Sequence, residues 1–98
     1  MTTRSLIIRP DAQRDVREAA HWYEARRPGL GKRFSAQLGR LMNRVADSPL
    51  QFPEIDEGVR RALLQRFPYA MYFTVASDAI IVIAILHQHR HPNTWKER

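Results

Sequence analysis

The sequence predicts an α+β domain in which a helical hairpin packs on one face of a four-stranded, mainly antiparallel sheet, in the order β-α-α-β-β-β. Three observations predict it. Tyr69–Ala76 is rich in aromatic and β-branched residues, Ser77-Asp78 breaks it, and Ala79–Leu86 then runs apolar without interruption. Two such runs about a two-residue polar break form a β-hairpin. Upstream, two stretches carry apolar residues at steps of three and four, the period of an amphipathic helix. No repeat, linker or low-complexity tract divides the 98 residues, so residues 1–98 form one domain with a single core.

The elements follow in order. Ser5 to Arg9 is a short apolar strand, and Arg9-Pro10-Asp11 starts a helix, with proline at the first helical position and an acid beside it. Ala12, Val16, Ala19, Ala20 and Tyr23 share one helical face, Arg14, Arg17, Glu18 and Glu24 occupy the other, and Arg27-Pro28-Gly29 ends the helix. The second helix begins at Leu30 or Gly31, buries Leu30, Phe34, Leu38, Leu41 and Val45 with Met42 widening the stripe, and stops at Ser48-Pro49. Pro49 and Pro53 fix an extended connection, with Phe52 as the plug that docks it and Glu54, Asp56 and Glu57 as the chain's acidic cluster. Val59–Phe67 is the third strand, with Arg60, Arg61 and Arg66 among apolar residues, and Phe67-Pro68 turns into the hairpin. The tail is short and helical around Trp95.

This order has a geometric consequence. On the last strand, alternation sets Ile80, Val82, Ala84 and Leu86 to one side and Ile81, Ile83, Ile85 and His87 to the other. Both sets are apolar. Two helices cover one face, and no remaining element is long enough for the second. An exposed apolar face implies a protein partner. Its contacts are expected at Ile81, Ile83 and Ile85, flanked by Arg60, His89 and Trp95.

Composition narrows the classes. Hydrophobic residues make up 44% and charged residues 27%, as in ordinary folded proteins. The absence of cysteine rules out disulfides and thiolate metal sites and suits a reducing cytoplasm. MTTRSLIIRPD has three consecutive apolar residues before Arg9, so neither a signal peptide nor a membrane span is expected there. The net charge is +6, and all but two of the sixteen basic residues are Arg. A small domain this basic meets an anionic partner, either nucleic acid or acidic protein. Arg favours planar, bidentate contacts to phosphate or carboxylate.

Candidate chemistry clusters at the end of the last strand. His87, His89 and His91 alternate, a spacing that three metal ligands could share, but no carboxylate is near in sequence and Pro92 ends the strand. A titratable basic patch is the simpler reading, and no metal or cofactor is expected. Arg61, Arg66, His87 and Arg90 lie on or beside neighbouring strands, and with His89 they would form a concave basic site. Such a set could position a phosphodiester, stabilise developing charge and supply a general acid or base. It would equally serve as an Arg-lined interface for an acidic protein segment. Trp95 fits a residue that pins the tail to the sheet better than one that stacks on a base. Gly29-Leu30-Gly31 is a turn signal without the strand or the full motif of a phosphate loop.

Several segments together resemble the RelE/ParE superfamily of type II toxin–antitoxin toxins, and its ParE-like, plasmid-stabilisation branch most closely. They are Ala20–Tyr23 with Glu24, RRPGLGKRF from Arg26, SPLQFP from Ser48, VRRALLQRFPYAMYF from Val59 and IAILHQHRHPNTW from Ile83. The resemblance implies a basic toxin held inactive by a cognate antitoxin that wraps it. It also implies one of two activities: inhibition of DNA gyrase, as in ParE-like members, or cleavage of messenger RNA in the ribosome, as in RelE-like members. Arg61 and Arg90 match two basic positions of the RelE-like nuclease. Leu63 stands where another basic residue is expected, Ala70 replaces an Arg usual in relatives, and the tail has Trp95 and no Tyr. The pattern therefore favours the gyrase-directed toxin. His87 and His89 support the endoribonuclease as the alternative, and an inactive interaction module is the third reading.

Overall fold

The structure is a computed structural model that describes residues 4–90 and 93–98. Strand β1 (Ser5–Ile8) leads into helix α1 (Pro10–Arg26), and helix α2 (Leu30–Asp47) returns antiparallel beside it. A 3-10 turn over Pro49–Gln51 is followed by strands β2 (Glu54–Asp56), β3 (Val59–Leu63), β4 (Tyr69–Val75) and β5 (Ala79–His87), and a second 3-10 turn spans Thr94–Glu97. The expected class and order hold, with one strand more than expected. The five strands lie in the order β1-β5-β4-β3-β2; β1 runs parallel to β5 and the other pairs are antiparallel. The addition is β2, three residues from the acidic cluster that pair with the start of β3.

The helical hairpin forms where the sequence punctuates it. Pro10 occupies the first turn of α1, and Gly29, at φ 89°, makes the left-handed step into α2. Glu24 accepts hydrogen bonds from the backbone N–H groups of Gly29 (2.9 Å) and Gly31 (3.0 Å), so α1 supplies the cap for the open N-terminus of α2. Gly31 lets the helices meet closely: a Cβ there would stand 2.5 Å from the carbonyl oxygen of Ala20. The apolar stripes of both helices cover one face of the sheet, where Phe34, Leu41 and Val45 join Met71, Phe73, Ile80, Val82 and Ile85 in the main core. Phe52 packs against that core, edge-on to Phe73 at 6.1 Å between ring centres.

Strict alternation fails in β5. Tyr72 pairs with Ala84 and Phe73 with Val82, so Ile83 is an extra residue bulged out of register. The bulge shifts the phase of everything beyond it. Ile80, Val82 and Ile85 join the helix-side core, whereas Ile81, Ile83, Ala84 and Leu86 pack on the opposite side. Ile85, expected on the open face, is instead buried beneath the helices.

The second face is also better covered than expected. The tail brings Trp95 across it, stacked on Tyr72 at 5.5 Å and 16° between planes, and Trp95 is itself buried. Ile83 is only 9% exposed there and Ile81 is half-buried. One large flat ring does the covering that no long element was available to do.

Candidate functional site

Strand β5 outruns its neighbour β1. The chain leaves the sheet at Arg9, whose N–H donates to the Val82 carbonyl at 3.0 Å, and turns into α1. Beyond that point no strand among the described residues lies beside this edge of β5, and side chains take over. Asp15, the one buried charged side chain among the described residues, accepts the Ile85 N–H at 3.0 Å. Arg98 grips both Asp15 carboxylate oxygens, one of them at 3.0 Å, and donates to the Ile83 carbonyl at 3.3 Å. Hydrogen bonding to Asp15 holds the Arg98 guanidinium protonated above even its ordinary range. The tail is thus locked to α1 through the bulged segment.

One turn further along α1, a cavity of about 190 Å³ opens, lined by Glu18, Trp22, Tyr69, Leu86, His87 and Arg90. The last turn of the strand is rigidly built. His87 Nδ1 accepts the N–H groups of His89 (3.1 Å) and Arg90 (3.3 Å), and the Gln88 N–H donates to the Pro68 carbonyl at 2.8 Å. The His87 ring stands edge-on to Tyr69 at 5.4 Å. With Nδ1 engaged as an acceptor, the neutral ring carries its proton on Nε2. Arg90 extends over the Trp22 indole at 5.3 Å and Arg26 lies at 4.2 Å from the same ring. Trp22 is 39% exposed, so the two guanidiniums frame an aromatic surface open to solvent. Burial raises the Tyr69 and Tyr23 hydroxyl pKa values, although the Arg90 charge opposes this at both.

The other basic candidates stand elsewhere. Arg61 lies opposite Tyr72 and therefore on the sheet face covered by the tail, whereas His87 and Tyr69 meet on the helix side. Arg60 turns to the preceding connection, donating to the Phe52 carbonyl at 2.6 Å and approaching Glu54 at 3.7 Å. Arg66, in the left-handed region at φ 70°, lines a different cavity beside α2 with Arg33 and Arg40. The single concave site expected from Arg61, Arg66, His87, His89 and Arg90 is not assembled. His87, His89 and Arg90 come together; Arg61 and Arg66 are parted from them by sheet face and turn. His91 and Pro92 lie outside the described residues. Among the described residues, no three His, Cys, Asp or Glu side chains gather to hold a metal ion.

Sequence reasoning missed Trp22 with Arg26 as part of this site, and missed the Asp15–Arg98 lock. A signal for Asp15 existed: it falls three residues after Ala12 and four before Ala19, on the apolar stripe, where a carboxylate needs a buried partner. Nothing comparable marks Arg98.

A family model described as the ParE toxin of type II toxin-antitoxin system, parDE, matches residues 6–92. Among solved structures, a chain of the chromosomal ParDE TA system from P. aeruginosa superposes with a TM-score of 0.77 at 20% identity. The match covers 87% of this chain and 96% of that one, and at this identity it speaks for the fold. No curated protein matches in sequence. Fold and family model together define the toxin component of a type II toxin–antitoxin system. Within that class, the chain belongs to the ParE toxin family, and membership implies an antitoxin partner. Among the described residues no helix is long and apolar enough to cross a membrane.

Proposed function

We propose that this toxin, released from its antitoxin in the cytoplasm, inhibits DNA gyrase and stops replication, using no cofactor and no RNA-cleaving centre. The observation that carries this reading is the separation of Arg61 from His87 and Arg90 by the thickness of the sheet. Phosphodiester cleavage needs charge stabilisation and proton transfer within hydrogen-bond reach of one phosphate. The groove that remains, with Trp22 framed by Arg26 and Arg90 beside His87 and His89, suits an exposed anchor for a protein target. Exposed Trp and Arg side chains are the residues that dominate such contacts.

The antitoxin is assigned to the second sheet face. There Ile81, Ile83 and Trp95 line a cavity of about 460 Å³. Replacing Ile81 with Glu is expected to abolish co-purification with the antitoxin while leaving the fold intact.

The gyrase reading is tested by inducing the chain alone in a bacterium and pulse-labelling DNA and protein synthesis. DNA synthesis should stop first, and purified toxin should block supercoiling by gyrase. If translation stops first and cleaved messenger RNA accumulates, the ribosome-dependent endoribonuclease is the correct reading. If growth continues, the chain acts only as an interaction module.

A further inference from the structure

Charge is unevenly distributed in this chain. No acidic residue occurs between Ala25 and Ala46 or between Gly58 and Ser77, although both stretches are rich in Arg. The fold brings the two acid-free segments together, because the turn between β3 and β4 lies against α2. Arg33, Gln37, Arg40 and Arg44 fall at i, i+4, i+7 and i+11 and form one stripe along the helix. Gln65 and Arg66 join them from the turn. Arg33, Gln37, Arg40 and Arg66 line a cavity of about 530 Å³; Gln37, Arg40, Arg44 and Gln65 line the next, of about 410 Å³. Gln37 and Arg40 are common to both, so the basic surface is continuous.

These guanidiniums are unengaged. Arg14, Arg60 and Arg98 each pair with a carboxylate, but the side chains of Arg33, Arg40, Arg44 and Arg66 make no ion pair or hydrogen bond among the described residues. All four are exposed. Arg66 is also the one non-glycine described residue at positive φ, a conformation that costs free energy, and it lines the cavity shared with α2.

We propose that this outer face of α2, with the β3–β4 turn, binds the phosphodiester backbone of duplex DNA. The stripe runs for about 16 Å at 1.5 Å per residue. Over that length one strand of a duplex presents about five phosphates. Guanidinium and amide side chains without acids are the groups that hold a phosphate backbone. A protein interface would place large apolar side chains at its centre. The exposed ones among the described residues, Ile7, Trp22, Leu50 and Leu63, all lie outside the stripe, and Leu30 and Phe67, which line the wider cavity beneath the guanidiniums, are half-buried. The proposal does not depend on gyrase being the target.

The experiment is fluorescence anisotropy of the full chain with a short labelled duplex DNA, repeated between about 50 and 200 mM salt. The wild-type protein should show log affinity falling with log salt at a slope of about −3 to −4. The exposed triple variant Arg33→Gln/Arg40→Gln/Arg66→Gln should reduce that slope by about 2.5 to 3 while keeping the circular dichroism spectrum. Arg14→Gln, whose guanidinium is already paired, should leave it unchanged. The proposal is overturned if the duplex does not bind, or if the triple variant keeps the wild-type slope. Stronger binding to polyglutamate or to single-stranded RNA than to the duplex would also overturn it, assigning the surface to an acidic protein or to RNA.

Discussion

Asp15 on the first helix and Arg98 at the far end of the described chain form a two-point ion pair that closes the sheet edge left open where β1 stops. The carboxylate also accepts the Ile85 N–H, so one side chain joins helix, strand and tail. Removing one partner of such a buried pair leaves the other charge uncompensated. Arg98→Ala should therefore destabilise the fold by about 3 kcal/mol. Thermal unfolding of the single variants and of Asp15→Ala/Arg98→Ala measures the coupling. A double variant whose loss equals the sum of the singles would show the pair to be uncoupled.

The approach of the helices at Gly31 gives a second expectation. A methyl group there would meet the Ala20 carbonyl at 2.5 Å, and main chain cannot turn aside as a side chain can. Gly31→Ala should cost about 1 to 3 kcal/mol in chemical denaturation. At an exposed helix position the same exchange would stabilise. Gly39, where an added Cβ meets nothing within 4 Å, provides that contrast: Gly39→Ala should stabilise by up to about 1 kcal/mol.

Alkaline pH should expose the buried tyrosines. Burial raises the hydroxyl pKa of Tyr69 and Tyr23 in the folded chain above the ordinary value of 10.0. The unfolded chain then releases these protons first, so stability is whole below about pH 10 and declines as pH rises through the folded pKa values. Urea midpoints measured across that range should fall, and fall less steeply in Tyr69→Phe. An identical decline in that variant would remove Tyr69 as a cause.

The separation of the basic residues predicts opposite outcomes for two Arg substitutions. Arg90→Ala strips one guanidinium from Trp22 and should greatly weaken growth arrest on induction. Arg61→Ala, on the far face, should leave arrest intact if the protein stays folded. Colony counts on inducing plates compare them. Equal loss of toxicity from both would join Arg61 to the same site.

Much of this architecture was legible in the residues because punctuation and periodicity agreed. Pro10 and Gly29 mark helix boundaries through backbone restrictions that act locally, and the stripe from Leu30 to Val45 points to one face whatever surrounds it. Strand β2 was hidden because Glu54, Ile55 and Asp56 offer no alternation longer than one step. The bulge at Ile83 was hidden for the opposite reason: in Ala79–Leu86 every residue is apolar, so a slip of phase leaves no mark. Trp95 was legible as the residue that pins the tail to the sheet; how much of the second face it covers was not, because one buried ring does it and not a periodic element. The candidate site was legible in residue type and only half legible in place. Which face an Arg occupies depends on strand register, and register is set by pairings distant in sequence.

The pairing of β1 with β5 has a kinetic side. Ser5 finds its partner at Ala79, and Ile8 finds Val82, so the first strand made waits for the last. Contacts this distant in sequence slow folding, since the intervening loop must close before any of them is rewarded. While the chain is still being synthesised, β1 and the apolar stripe of α1 have no sheet to dock on. The toxin surface therefore comes into existence only once β5 has been made and β1 can pair with it. An antitoxin already present would then meet the sheet as it closes.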